Sequence, residues 1–283
     1  MSIPTVPRIG CVTMTNTEAD PSRREPAPFF VFSGLAFAAS AAGTIYFCRS
    51  MSGGMDMPGG WTMSMMWMRM PGQTWTASAA MFLLAWLAMM MAMMLPSTLP
   101  MLLNYRRSLI TPNPARAGLL LLLTAGGYFF VWLAVGAVVY ATGVILALAE
   151  MRSADFSRVV PLLSGATLAL AGCIQFTSWK MTALRQCRCA DVSMAPLAHG
   201  KSFAAWRHGF SKGVSCTVCC SGLMLTLVAL GAMNLTVMTI VAGLIAVEKL
   251  LPKPEVIVRI SGVAALGAGL VMMDQPLFHC LTH

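Results

Sequence analysis

Apolar residues along this chain fall into seven long blocks separated by polar or charged segments. The blocks cover residues 29–48, 77–103, 118–148, 159–179, 213–233, 235–251 and 256–273. Each is near the roughly 20 residues a helix needs to cross the hydrocarbon core of a bilayer. Backbone N–H and C=O groups in lipid must bond within their own segment, so the blocks predict helices. The third block is long for one span and implies tilt or interfacial turns. The sixth lies near the short limit. No internal repeat stands out, which counts against a carrier built from inverted repeats. Residues 1–28 are polar and proline-rich, without the short apolar core and small-residue cleavage site of a signal peptide. The predicted organisation is a disordered tail over 1–28, an all-α polytopic membrane helix bundle over 29–274, and a short tail over 275–283.

Charge adds an orientation. Only 10% of the 283 residues are charged, and the net charge is +9; soluble domains carry roughly 25% charged residues. If the N-terminus lies inside, the inner segments hold 15 of the 19 Lys and Arg residues. The outer segments hold the other four, Arg49, Arg69, Arg152 and Arg158. Basic loops face the cytoplasm, so the reading is seven transmembrane helices in a bacterial inner membrane, N-terminus in and C-terminus out. The basic excess is explained by this asymmetry, and no aromatic-plus-basic patch points to nucleic acid. The bilayer is the expected partner, and a metallochaperone or a membrane complex is the protein partner that metal handling would call for.

Sulfur then suggests chemistry. Fifteen of the 25 methionines lie between Met51 and Met101. The predicted outer loop carries Met51, Met55, Met57, Met63, Met65, Met66, Met68 and Met70 around glycine pairs. Thioethers bind soft monovalent ions such as copper(I); methionine is also a flexible packing residue. In the second block Met89 and Met93 share a helix face, as do Met90 and Met94. Ligation and packing both account for that cluster. Pro96 and Pro100 should kink its inner end. Trp61, Trp67 and Trp75 suit a membrane interface.

The most specific pattern is Gly209, Gly213, Cys216, Cys219, Cys220 and Met224. On a helix Gly209, Gly213, Cys216, Cys220 and Met224 form one stripe, with Cys219 beside it. The glycines allow close approach, and the thiols offer two or three ligands to one ion. Upstream, Cys187 and Cys189 lie among Lys180, Arg185 and Arg188, whose charge favours the thiolate. This basic segment is either a ligand loop that folds back on Cys216–Cys220 or an ordinary cytoplasmic loop. Cys173 reads as buried packing, and His199 and His208 as solvated. His279, Cys280 and His283 form a further small cluster. Glu248-Lys249 is a charged pair at the inner end of the sixth block, either functional or an interfacial anchor. Small residues Gly34, Ala38, Gly165, Ala169, Gly262 and Gly269 predict close helix packing. Nine cysteines, six of them between Cys173 and Cys220, do not read as a disulfide framework.

These motifs resemble the bacterial family of predicted metal-binding integral membrane proteins known as domain of unknown function 2182. The resemblance rests on 65–72, 92–97, Tyr105-Arg106-Arg107, Tyr128, Trp132, Lys180, Cys187, the segment 209–231, Met233-Asn234-Leu235 and Glu248-Lys249. That family usually has a C-x-G-C-C-W-like stretch; here Val218 and Ser221 stand where the glycine and tryptophan would be. The resemblance implies class and topology more firmly than an activity. Together these features predict a soft-metal-binding membrane protein, with copper(I) captured by Met65, Met66, Met68 and Met70, relayed by Met90, Met93 and Met94, and received by Cys187, Cys189, Cys216, Cys219, Cys220 and Met224. A membrane thiol oxidoreductase, or a non-enzymatic assembly or anchoring subunit, is the alternative. No nucleophile elbow, phosphate loop or zincin signature supports a hydrolase or an ATPase.

Overall fold

The structure is a computed structural model that describes residues 27–50, 54–57, 61–64, 67, 69, 72–109, 113–188, 202–232, 234–251 and 254–281. Among the described residues eight helices follow one another: α1 (Ala27–Ser50), α2 (Trp75–Ser108), α3 (Pro114–Arg152), α4 (Ala154–Gln175), α5 (Ser178–Arg188), α6 (Ser202–Leu230), α7 (Leu235–Leu250) and α8 (Pro254–Leu281). The architecture is helical, as expected, apart from one short hairpin. A two-stranded antiparallel hairpin, β1 (Gly54–Met57) and β2 (Trp61–Ser64), occupies part of the methionine-rich loop, and its register sets Met55 opposite Met63.

Each predicted block overlaps a helix, the fifth running past the end of α6 and the fourth, 159–179, crossing the break between α4 and α5. Five of these, in α1, α2, α3, α6 and α8, are long and apolar enough to cross a membrane. Helices α4 and α5 make a sixth only if taken together, because they meet at a 69° bend. Helix α7 has 16 residues and spans about 24 Å at 1.5 Å per residue, short of a ~30 Å hydrocarbon core. The third block contains no turn: α3 is one continuous helix of 39 residues.

Local chemistry sets the helix starts. Thr74 caps α2 by accepting from the Ala77 N–H. Asn113 caps α3, with Pro114 in the first turn where a missing N–H costs nothing. Asn234 caps α7 by accepting from Thr236 and Val237. Gly231, at φ 103°, supplies the left-handed turn between α6 and α7. Thr177 marks the α4–α5 bend: its hydroxyl donates to the Ile174 carbonyl and accepts from the Lys180 N–H.

Side-chain contacts fix the relative directions. Trp86 donates to the Trp132 carbonyl and Tyr140 to Ser78, so α2 and α3 are antiparallel. Gly209 abuts Thr124 and Gly213 abuts Tyr128 and Val131, so α3 and α6 run parallel. Glycine makes this second contact close, since a Cβ on Gly209 would overlap the Thr124 backbone. Helices α4 and α8 are antiparallel and interlock through Gly165, Gly172, Gly262 and Gly269, four positions where an added Cβ would meet the other helix. Three of those four were expected as packing sites. Gly34 was also expected, but nothing lies within 4 Å of a Cβ there. Most of α1 faces outward, including Phe30, Val31, Phe32, Leu35 and Tyr46.

Candidate metal centre

Helix α6 brings the thiols inside. Cys216, Cys219 and Cys220 are each 1–2% exposed, on the face that also buries Gly209, Gly213, Leu223 and Leu227. Spacings of three and four keep these residues on one side of a 3.6-residue helix. The glycines below them admit α3 at backbone contact, so the thiols meet a tightly packed neighbour.

Helix α5 adds a fourth sulfur. The segment expected as a basic loop is helical, and the bend after α4 turns it back across α6. The Sγ atoms of Cys187, Cys216 and Cys219 lie within 4.8 Å of one another. Cys220 Sγ is 4.0 Å from Cys216 Sγ and 3.6 Å from Cys219 Sγ. Three sulfurs bound to one ion at about 2.3 Å would stand roughly 4.0 Å apart in a trigonal plane. The cluster therefore comes close to the spacing of a three-sulfur site. All four cysteines are free thiols.

Two neighbouring helices hold Cys216 in place. Tyr128 on α3 donates its hydroxyl to Cys216 Sγ at 2.8 Å. Lys249 on α7 donates to the same sulfur at 2.9 Å. The Lys249 ammonium also lies 3.4 Å from Ser97 Oγ and 3.9 Å from Met94 Sδ, both on α2. Thus α3, α6 and α7 meet at one sulfur, and α2 contacts the ammonium that reaches it. An ammonium donating to it stabilises negative charge there, as a soft cation would on binding.

The neighbouring residue Glu248 points elsewhere. Successive residues on a helix are about 100° apart, so one faces the thiols and the other faces α5 and α8. Glu248 Oε2 pairs with Lys180 Nζ at 2.9 Å, and both side chains are at most 3% exposed. Gln175 donates to Glu248 Oε1 and to Ser261 Oγ, at 3.2 and 3.1 Å. Lys180 also donates to the Cys219 carbonyl. This network ties the α4–α5 bend, α7 and α8 to the backbone of the thiol helix. Glu248 is buried and Lys249 half-buried with its ammonium on Cys216, and Lys180 is fully buried rather than in a solvated loop.

Of the other predicted ligands, Met90, Met93 and Met94 are buried at 0–4% in the same core as the thiols, together with Met89. Met224 packs half-buried against that core, one turn beyond Cys220. Cys189, Met65, Met66, Met68 and Met70 lie outside the described residues. So do His199 and His283, and the side chains of His279 and Cys280. The Trp67 ring fits against Gly143 and stands 5.4 Å from Phe82. Cys173 is exposed, not buried; α4 buries the stripe of Leu168, Ala171 and Gln175, and residue 173 falls off it. His208 lies in α6 and stacks on Tyr105 at 5.4 Å instead of lying in a loop. Cys48 donates to Met238 Sδ at 3.9 Å, a sulfur contact the sequence reading missed.

Tyr128, Ser97, Lys249, Gln175 and Ser261 were not among the predicted site residues. The signal available for Lys249 was an ionisable group in an apolar helix. Nothing in the linear pattern of Gln175 or Ser261 marks them, because their role depends on the bend after α4.

A family model described as PpoB2, copper chaperone, matches residues 83–272. No curated protein and no solved structure matches the chain. The matched range contains α3 to α7 whole, and so every residue of the thiol and ion-pair clusters.

Proposed function

The chain belongs to the PpoB2 copper-chaperone family, and from that premise we propose that it is a multi-pass membrane protein that receives copper(I) on buried thiols and hands it on. The observation that carries this reading is the convergence of Cys187, Cys216 and Cys219 within 4.8 Å, from two helices, inside an apolar bundle. Thiolates are soft ligands that favour a d10 monovalent ion. Their charge is costly in an apolar interior, and a bound cation offsets that cost.

The cargo path runs along sulfur. Methionines of the loop between α1 and α2 take the ion from the oxidising side, where thioethers need no deprotonation. Met90, Met93 and Met94 line the way to the cysteines, which bind more tightly. The basic segments then lie in the cytoplasm, with the bundle in a bacterial inner membrane. A metallochaperone or a membrane complex completes the hand-off. A thiol-exchange role is the second reading, favoured by the 3.6 Å contact of Cys219 and Cys220.

Elemental analysis of purified protein tests the proposal. Wild type from copper-supplemented cells should carry close to one copper per chain, and Cys216→Ser/Cys219→Ser/Cys220→Ser should carry almost none. Equal copper in both would remove the cysteines from the site. Metal-free wild type whose thiols cycle reversibly to disulfide would favour the second reading.

A further inference from the structure

We propose that Lys249 is a specificity-determining residue, a fixed positive charge that makes the thiol site accept monovalent ions and reject divalent ones. This rests on the copper(I) reading above and adds what selects the charge of the cargo.

Lys249 sits at the end of α7 with its ammonium inside the site. It is 2.9 Å from Cys216 Sγ and is flanked by Met94 Sδ at 3.9 Å and Ser97 Oγ at 3.4 Å. The nearest buried carboxylate on its own helix does not cancel it, because Glu248 is paired with Lys180 at 2.9 Å. Glu248 also accepts from Gln175 and Ser261. The thiol site therefore keeps one extra positive charge of its own.

An ion bound to Cys216 at about 2.3 Å stands roughly 4 Å from the Lys249 nitrogen while that nitrogen stays hydrogen-bonded to the sulfur. Two unit charges at that distance, at an effective permittivity near 20, oppose each other by about a thousandfold in binding constant. A monovalent ion meets this repulsion once and a divalent ion meets it twice. Stabilisation of the thiolate by the same ammonium helps both ions alike, so it cancels from the ratio of their affinities. The direction of the selectivity follows from charge alone, whatever the absolute affinity.

The test uses full-length protein in detergent, with Ag(I) as the monovalent probe and Cd(II) as the divalent one. Each affinity is measured by competition with a chelator for wild type, Lys249→Leu and Lys249→Arg. The leucine exchange removes the charge without adding a soft ligand and should lower the ratio of Ag(I) to Cd(II) affinity by at least about tenfold. Lys249→Arg keeps the charge and should stay within that margin of wild type. Lys249→Gln serves as the neutral variant if Lys249→Leu does not fold. A change below about tenfold in the neutral variant overturns the inference, as does an equal change in Lys249→Arg. Wild type that binds neither ion would instead defeat the proposed function itself.

Discussion

Lys180 and Glu248, on α5 and α7, form an ion pair of 2.9 Å that is closed to solvent. The pair anchors the short helix that carries Cys187, since Lys180 lies two turns before that thiol. Removing one partner leaves an uncompensated buried charge, which costs about 3–5 kcal/mol. Lys180→Met and Glu248→Met should each lower thermal stability in detergent strongly. The double variant Lys180→Met/Glu248→Met should recover much of the loss, because a buried pair replaced by apolar groups is close to neutral. Loss in the double variant equal to the sum of the singles would show that the pair is not coupled.

Cys187 is the proposed ligand that depends on this anchoring. Cys187→Ser removes one of the three mutually close sulfurs while leaving the α6 thiols untouched. Silver(I) affinity should fall by about tenfold or more, equivalent to ~1.4 kcal/mol, with no loss of folding. Chelator competition measures it. Unchanged affinity would place Cys187 outside the ligand set and leave the α6 thiols as the whole site.

Much of the helical architecture was readable because long apolar blocks of span length are expected to be helices. The glycine–cysteine stripe on α6 was readable for a similar reason: helical periodicity alone puts Gly209, Gly213, Cys216 and Cys220 together. What the sequence did not disclose depends on turns. The 69° bend after α4 decides that Cys187 meets Cys216 and Cys219, and that Lys180 is buried rather than solvated. The opposite aims of Glu248 and Lys249 depend on how α7 rotates between α5 and α2, which no spacing within α7 reveals. Cys173 was misread as buried because an apolar helix shows no polar face to mark its outside.

Gly209 tests whether close approach of α3 and α6 is what holds the site. A methyl group there would overlap the Thr124 backbone, and backbone cannot swing aside as a side chain does. Overpacking of this kind costs about 1–3 kcal/mol. Gly209→Ala should lower the melting temperature and loosen metal binding together, because Tyr128 and Cys216 lie on the separated helices. Gly267→Ala is the control: it lies on an exposed face of α8 with nothing within 4 Å of an added Cβ, and should be neutral or slightly stabilising. Equal effects of the two changes would mean that glycine matters for the helices themselves and not for their contact.

Met90, Met93 and Met94 separate ligation from packing. All three are buried in the core that contains the thiols, so either role explains their place. Leucine fills nearly the same volume, and each exchange costs less than about 1.5 kcal/mol. It removes the thioether and nothing else of comparable chemistry. The triple variant Met90→Leu/Met93→Leu/Met94→Leu should therefore fold and keep the cysteine-bound copper when loaded directly in detergent. In sealed vesicles, with copper(I) supplied on the side of the methionine-rich loop, loading of the cysteines should slow by about tenfold or more. Loading at the wild-type rate would assign these methionines to packing and leave the ion without a thioether route through α2.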